Sequence, residues 1–308
     1  MPLLTQNQKP RIILGLMTFG EGDEAKAAGA RITDLDEYNK TLDHLQAAGY
    51  NEVDTARSYI GGKQEAFTQK AHWKERGLAL ADRSVPFTET LAAVDKLHKA
   101  GKFVQLGLSN FTAFEVAEVV MHCKYNNWVR PTIYQGMYNA ITRSLERELI
   151  PACKRYGLDV VIYNPIAGGL FSGKYKTTDI PTEGRFSNTA KSGEMYRKRY
   201  FKDSTFEALQ IIEPVVEKAG LTMVEVALRW VINHSALNIK DGNDGVIIGV
   251  SSIEQLDQNL KDCQKGPLPQ EVLDALDKAW RVSLPDTPNY WHLDLKYTYN
   301  TRKALFGI

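Results

Sequence analysis

The sequence predicts an α/β fold of the (β/α)8 TIM-barrel type, incomplete by one strand. Three observations carry the prediction. Apolar runs of strand length alternate with segments of helical periodicity, and the runs are continuous, as in parallel strands buried on both faces. The first strand-to-helix turn holds Gly15, Gly20 and Gly22, which do not fit the G-x-G-x-x-G spacing of an open dinucleotide-binding sheet. Alternating units with parallel strands leave a closed barrel or an open doubly wound sheet, so the barrel is favoured. Third, seven strands can be counted, where such a barrel has eight.

The elements follow in order. Arg11 to Gly20 reads as the first strand. Thr33 is placed to cap a helix that carries Leu35, Leu42 and Leu45 and ends at Gly49. A short strand spans Glu52 to Ala56, a helix runs near Gln64 to Arg76, and a weak strand lies at Leu78 to Ala81. A helix then covers Phe87 to Ala100. Strand Phe103 to Ser109 precedes helix Ala113 to Asn126, and strand Thr132 to Tyr138 precedes helix Leu145 to Tyr156. Strand Asp159 to Tyr163 leads through a long loop to helices at 204–219 and 222–233. Strand Val246 to Val250, helix Ile253 to Cys263, a last helix at 269–281 and an irregular aromatic tail complete the chain. The whole, residues 1–308, reads as one domain.

Composition narrows the function. A net charge of +1 gives no footprint for nucleic acid. Cys123, Cys153 and Cys263 are scattered, without disulfide or metal spacing; no metal site is expected. No leader and no membrane-length apolar run is visible, so a cytoplasmic location is expected.

Active sites of such barrels gather at the C-terminal ends of the strands. Here the strands end in Asp54-Thr55, Ser109-Asn110, Gln135 with Tyr138-Asn139, Asn164-Pro165 and Ser251-Ser252. Such residues also cap helices, but Gln135 precedes apolar residues of its own strand and does not fit that role. Gly168 to Lys174, GGLFSGK, approaches a phosphate loop of NTPases. Tyr175 stands where that loop needs a Ser or Thr hydroxyl for magnesium, and turn-like residues follow where a helix should open.

The segments LGLMTFG (14–20), EVDTARSY (52–59), GKFVQLGLSNFTAFEVAE (101–118), RPTIYQGMYNAITR (130–143), NPIAGGLFSGKY (164–175), GRF (184–186), EMYRKRYFK (194–202) and IIGVSSIEQLDQNL (247–260) resemble the aldo-keto reductases. They are most similar to the branch that reduces aflatoxin dialdehyde and succinic semialdehyde. The resemblance covers nearly the whole chain in family order. It implies an NAD(P)H-dependent oxidoreductase that reduces an aldehyde or ketone, in secondary metabolism or aldehyde detoxification. Tyr59 would be the proton donor and Asp54 the carboxylate behind it. A phenol has a pKa near 10 and needs help to donate near neutrality; the family supplies a lysine, and a histidine to orient the carbonyl.

The sequence departs from the family here. Leu78 to Ala81 passes directly into Asp82 to Pro86, as though a strand-helix-strand piece of about 40 residues were missing. Neither the lysine nor the histidine has a matching position; His72 and Lys74 lie upstream on the expected helix and are not assigned those roles. The alternative is a degenerate cofactor-binding protein or a truncated gene product.

The resemblance also implies a cofactor site. Ser109, Asn110 and Gln135 would hold the nicotinamide carboxamide, with Asp54 nearby and Tyr138 stacking near the ring. The loop of Asn164, Pro165, Gly168, Gly169, Leu170, Gly173 and Lys174 would pass over the pyrophosphate, with Arg185 adding charge. Gly249, Ser251, Ser252, Gln255, Gln258 and Asn259 would surround the adenosine end. NADPH is expected, with NADH the alternative. Tyr196, Arg197 and Arg199, placed in a loop, would meet a small carbonyl substrate. A homodimer is the expected assembly.

Overall fold

A computed structural model describes residues 9–70, 78–80, 84–190 and 192–308. Its seven strands are β1 (Ile12–Gly15), β2 (Glu52–Asp54), β3 (Leu78–Leu80), β4 (Gly107–Ser109), β5 (Ile133–Met137), β6 (Asp159–Tyr163) and β7 (Gly245–Gly249). They alternate with helices, and every ladder whose register is defined is parallel. This is the α/β pattern of an incomplete (β/α)8 barrel. His72, Lys74 and the Ala81–Asp82 junction lie outside the described residues.

The chain folds as two compact units. The first comprises Met1–Lys74, Met137–Arg143 and Ile162–Pro288. In it β1 lies between β2 and β7, with Gly15 level with both Asp54 and Gly249. Because the strands are parallel, their C-terminal ends form one edge. Arg11 fixes the opposite edge: its Nε and one terminal nitrogen donate to Glu52 at 2.9 and 2.7 Å, and the other donates to the Asn243 carbonyl at 2.6 Å. Both partners are buried. Helices Asp203–Lys218 and Gln270–Ser283 pack on each other, burying Ile212, Val216, Val272 and Leu276. Each such side chain contributes about 1.5–3 kcal/mol when taken from water.

The second unit comprises Glu75–Gly136, Ser144–Val161 and Asn289–Ile308. Here β4 lies between β3 and β5, with Ser109 level with Leu80 and Gln135. Helix Ala113–Asn126 starts with a capping box, in which Thr112 accepts from the Glu115 amide and Glu115 accepts from the Thr112 amide. The tail is tied down by side chains. Tyr290 accepts from the Ala113 amide and donates to Glu148, and Tyr297 donates to Glu115 at 2.6 Å.

Several elements differ from the sequence reading. The first strand stops at Gly15, because Phe19 turns back to the Leu16 carbonyl and bridges Ile32. Asp34, not Thr33, caps helix Leu35–Ala47, accepting from the Asp36 and Glu37 amides at 3.0 Å. The fourth strand begins only at Gly107 and the helix after β5 only at Leu149. Three helices were not expected: Gly22–Ala27, Gly193–Tyr200 and, in the tail, Thr301–Phe306. All three are short, and the first two are polar enough to read as loops.

Candidate active site

The first unit gathers a polar cluster at the C-terminal ends of β2 and β6. Asp54 is the last residue of β2, and five residues on, the Tyr59 hydroxyl donates to its Oδ2 at 3.2 Å. Tyr59 opens a 3-10 turn, Tyr59–Gly62, in which Ile60, Gly61 and Gly62 all have positive φ. Burial, and after it the charge and hydrogen bond of Asp54, hold the Tyr59 phenol far above its ordinary pKa. Tyr163 and Tyr196 act on it in the same direction.

Tyr163 ends β6, and Asn164 follows in the left-handed region at φ 58°. Asn tolerates that conformation better than most residues. The Asn164 side chain accepts from Tyr196 at 3.5 Å and donates to the Tyr200 hydroxyl at 3.3 Å. Tyr200 is fully buried and donates to Met137 Sδ at 3.3 Å. Arg185 donates to the Tyr196 hydroxyl at 3.1 Å and lies over its ring, as does Arg199. Burial pushes the Tyr163 pKa up to about 12, while the Arg199 charge pulls the other way.

The glycine loop follows Asn164. Residues 167–172 form a 3-10 segment broken at Gly168 (φ 69°) and Gly169 (φ 112°). A Cβ on Gly168 would stand 2.8 Å from the Tyr196 ring, so a side chain there cannot fit. At Gly169 and Gly173 nothing lies within 4 Å of where a Cβ would be, leaving backbone open to a ligand. Lys174 is exposed, and no helix opens after it, which excludes the phosphate-loop geometry of an NTPase. Bare backbone beside Arg185 and Lys174 fits the phosphates of a dinucleotide.

Helix Ile253–Cys263 starts at Ser252, whose hydroxyl accepts from the Gln255 amide at 3.3 Å. The Gln255 side chain turns back to accept from both the Ser251 amide and hydroxyl. Gln258 donates to Asp262 at 3.0 Å, and Asn259 is buried. Glu254, in the first turn, is held below the usual carboxylate range by its hydrogen bond with Ser252.

In the second unit, Ser109 and Asn110 are buried, and Asn110 donates to the Ser109 hydroxyl at 2.8 Å. Asn110 has φ 63°, and its carbonyl accepts from the His292 amide in the tail. Gln135 is half-buried and level with Ser109.

Three expectations need correcting. Tyr138 is fully buried; its ring packs on Trp230 and its hydroxyl accepts from the Ala236 amide. It is a core residue and has no face to offer a nicotinamide ring. Arg197 donates to the Phe186 carbonyl at 2.6 Å and to Asn188 at 2.8 Å. It braces the loop that carries Arg185 rather than facing a substrate. Tyr196, Arg197 and Arg199 lie on a helix, not in a loop. The sequence reading missed Tyr163 and Tyr200; Asn139, one of its polar strand ends, donates to the Asn164 carbonyl at 3.1 Å. Tyr163 was legible as a polar residue ending an apolar strand. Tyr200, buried at the end of a short charged helix, was not.

A parallel α/β chain with a tyrosine–aspartate pair at a strand end and a bare glycine loop has the parts of a nicotinamide-dependent oxidoreductase. The sequence profile of the aldo/keto reductase family matches residues 77–281. Aflatoxin B1 aldehyde reductase member 2 of Rattus norvegicus is 36% identical over 334 aligned positions, which cover 92% of this chain and 88% of that protein. An aldo-keto reductase of Pseudocercospora fijiensis is 36% identical over 81% of this chain and 99% of its own length. Aldo-keto reductase family 7 member A3 of Homo sapiens is 46% identical over 222 positions, covering 70% of this chain and 66% of that protein. The chain belongs to the aldo/keto reductase family. It is an oxidoreductase that acts on small-molecule carbonyl groups, reducing an aldehyde or ketone to an alcohol with a nicotinamide cofactor.

The alignments also bear on the internal deletion. Covering 92% of a 308-residue chain accounts for about 283 of the 334 positions, so about 51 stand opposite gaps in this chain. The human alignment covers about 216 residues in 222 positions and is nearly gap-free. The missing positions therefore fall outside that segment. No helix among the described residues is long and apolar enough to cross a membrane.

Proposed function

We propose that Tyr59 is the proton donor in the reduction of an aldehyde to a primary alcohol, and that it works at a rate well below that of the family. The observation that carries this reading is the Tyr59–Asp54 hydrogen bond at the end of β2, beside Tyr163, Asn164 and Tyr196. When bound, a reduced nicotinamide supplies the hydride to the carbonyl carbon. Tyr59 gives its proton to the oxygen as negative charge develops there, and is reprotonated from solvent. Tyr163, half-buried at the end of β6, takes the place beside the ring that Tyr138 cannot. The backbone of Gly168, Gly169 and Gly173, with Pro165, Leu170, Lys174 and Arg185, holds the pyrophosphate. Ser109, Asn110 and Gln135 hold the carboxamide, and Gly249, Ser251, Ser252, Gln255, Gln258 and Asn259 flank the adenosine.

NADPH is the cofactor of this reading, with NADH the competing one, since Glu254 brings a carboxylate to the helix end that would meet a 2′-phosphate. Arg185 and Arg199 around Tyr196 favour aldehydes that carry a carboxylate, and relatives named for aflatoxin B1 aldehyde point to bulky dialdehydes as a second class. Residues 1–308 act as one catalytic domain in this reading, in the cytoplasm and as a homodimer. Titration of tryptophan fluorescence with each cofactor tests the binding half. Failure of both to bind at millimolar concentration would refute it. Reduction of 4-nitrobenzaldehyde, compared between the chain, Tyr59→Phe and a chain with the missing segment restored, tests the chemistry; family-like rates without restoration would refute the role given to the deletion.

A further inference from the structure

Tyr59 is followed by a residue whose backbone is out of place for its type. Ile60 adopts φ 49° and ψ 46°, in the left-handed region. For a β-branched residue this is a genuine outlier, and strain of this kind persists only where the surroundings over-determine it. Here they do. The Ile60 side chain is 8% exposed and packs in an apolar cluster with Ala25 and Ala30, flanked by Ala28. The cluster has room for it because position 20 is glycine. A Cβ on Gly20 would stand 2.9 Å from Ile60 Cγ2, 3.2 Å from Cγ1 and 3.0 Å from the Ala25 Cβ. The wall of the hollow is itself fixed: the Gly20 amide donates to the Ile32 carbonyl at 3.0 Å, and the Ala30 amide to the Ala25 carbonyl at 2.9 Å. Lys63 and Lys70 pair with Glu24 and Glu21 across the same boundary, but these are exposed pairs of small worth. The apolar knob is the tie that holds.

We propose that Ile60, seated in the hollow that Gly20 leaves open, is the positioning residue for Tyr59. It holds the strained turn from which the Tyr59 ring reaches the Asp54 carboxylate, and it couples the proton donor to the segment after β1. The inference rests on the reading of Tyr59 as proton donor.

The test uses the full chain and four substitutions: Ile60→Ala, Ile60→Gly, Ile60→Val and Gly20→Ala. In reduction of 4-nitrobenzaldehyde by NADPH, Ile60→Ala, Ile60→Gly and Gly20→Ala should each lower kcat by about 10–100-fold, the cost of misplacing a reacting group by about 1 Å. The dissociation constant for NADPH should stay within about threefold of the unsubstituted chain. The solvent deuterium isotope effect on kcat should rise, because proton transfer becomes more rate-limiting; a mere loss of folded protein would leave it unchanged. Ile60→Gly separates strain from packing, since glycine accepts the backbone but lacks the knob, and Ile60→Val should recover most of kcat. Wild-type kcat in Ile60→Ala, or a fall without a change in isotope effect, overturns the proposal. If Ile60→Ala does not fold, Gly20→Ala and Ile60→Val decide by the same criteria. If Tyr59→Phe keeps wild-type kcat, the proton-donor reading has failed on its own. The positioning claim is then judged by the 19F resonance of 3-fluorotyrosine at position 59, which must shift or broaden in Gly20→Ala; an unmoved resonance overturns it.

Discussion

The acidity of Tyr59 makes a sharp prediction about pH. An unperturbed phenol titrates near 10. Here burial, and after it the Asp54 carboxylate that accepts its hydrogen bond at 3.2 Å, both favour the neutral phenol. The folded-state pKa is therefore raised, so Tyr59 stays protonated through neutral and moderately alkaline pH. A general acid that is always protonated gives no alkaline limb in kcat, but it is also reluctant to release its proton. General acid catalysis spans about 10²–10⁴ in rate, and an acid so far from the working pH falls at the low end. Tyr59→Phe should therefore lower kcat by about 10²-fold, near 2.7 kcal/mol in barrier height. Asp54→Asn removes a cause of the shift and should move the phenol pKa down, bringing any alkaline limb to lower pH. The assay is kcat for 4-nitrobenzaldehyde from pH 6 to 10 with saturating NADPH, for the chain and both variants. A limb below about pH 9 in the unsubstituted chain that vanishes in Tyr59→Phe would show that the phenol is acidified by a cation, and the reasoning would be wrong.

Two further predictions concern the scaffold. Glu52→Gln leaves the buried Arg11 guanidinium without its charge partner and should cost about 3–5 kcal/mol of stability, whereas Arg11→Met with Glu52→Leu should be close to neutral; urea unfolding of both checks this, and a loss below about 1 kcal/mol in the single variant would count against it. His234 accepts the Leu268 amide at 2.8 Å on Nε2, and burial lowers its pKa. Its stabilising contribution is full above its unfolded value of about 6.5 and is lost as pH falls through the folded value, so the midpoint of thermal unfolding should fall on acidification by less in His234→Gln than in the parent chain.

What the sequence made legible follows from the physics of each feature. Short apolar runs such as Asp159–Tyr163 and Gly245–Gly249 suit strands buried on both faces, and both lie within a residue of where expected. Asp54 and Asn164 were legible because a polar residue closing such a run must be stabilised by hydrogen bonds at the sheet edge. Arg197 was misjudged because charge alone does not reveal direction; its guanidinium turns inward to the Phe186 carbonyl. Tyr138 was misjudged because a tyrosine near a strand end has two stable uses, and a backbone amide at Ala236 with the Trp230 ring claimed it for the core. Helix Gly193–Tyr200 was hidden because its stability comes from tertiary contacts. Gly193 sits so close to the Ser187 carbonyl that a Cβ would stand 2.0 Å from it, and Tyr200 is held by Asn164 and Met137. Local propensity over eight mostly polar residues carries none of that information.

The site also separates two requirements that are easily confused. Holding a dinucleotide needs exposed backbone, a few donors at strand ends and modest positive charge. In the proposed reading the glycines of 168–173, Arg185 and Lys174 supply this within one stretch of the first unit, and Ser109, Asn110 and Gln135 supply donors where β4 and β5 end in register in the second. Those features survive as long as neighbouring strands stay parallel. Proton transfer makes a different demand: an acid whose pKa is tuned by charges brought from other strands. Among the described residues Arg199 acts on Tyr163 and Tyr200, while burial, Asp54, Tyr196 and Tyr163 all act on Tyr59 in the opposing sense. A chain that lacks about 51 positions of its relative should thus lose catalysis before it loses binding. A dissociation constant for NADPH close to that of the restored chain, together with a depressed kcat, is the signature of that order; weak binding with normal turnover of the bound fraction would reverse it.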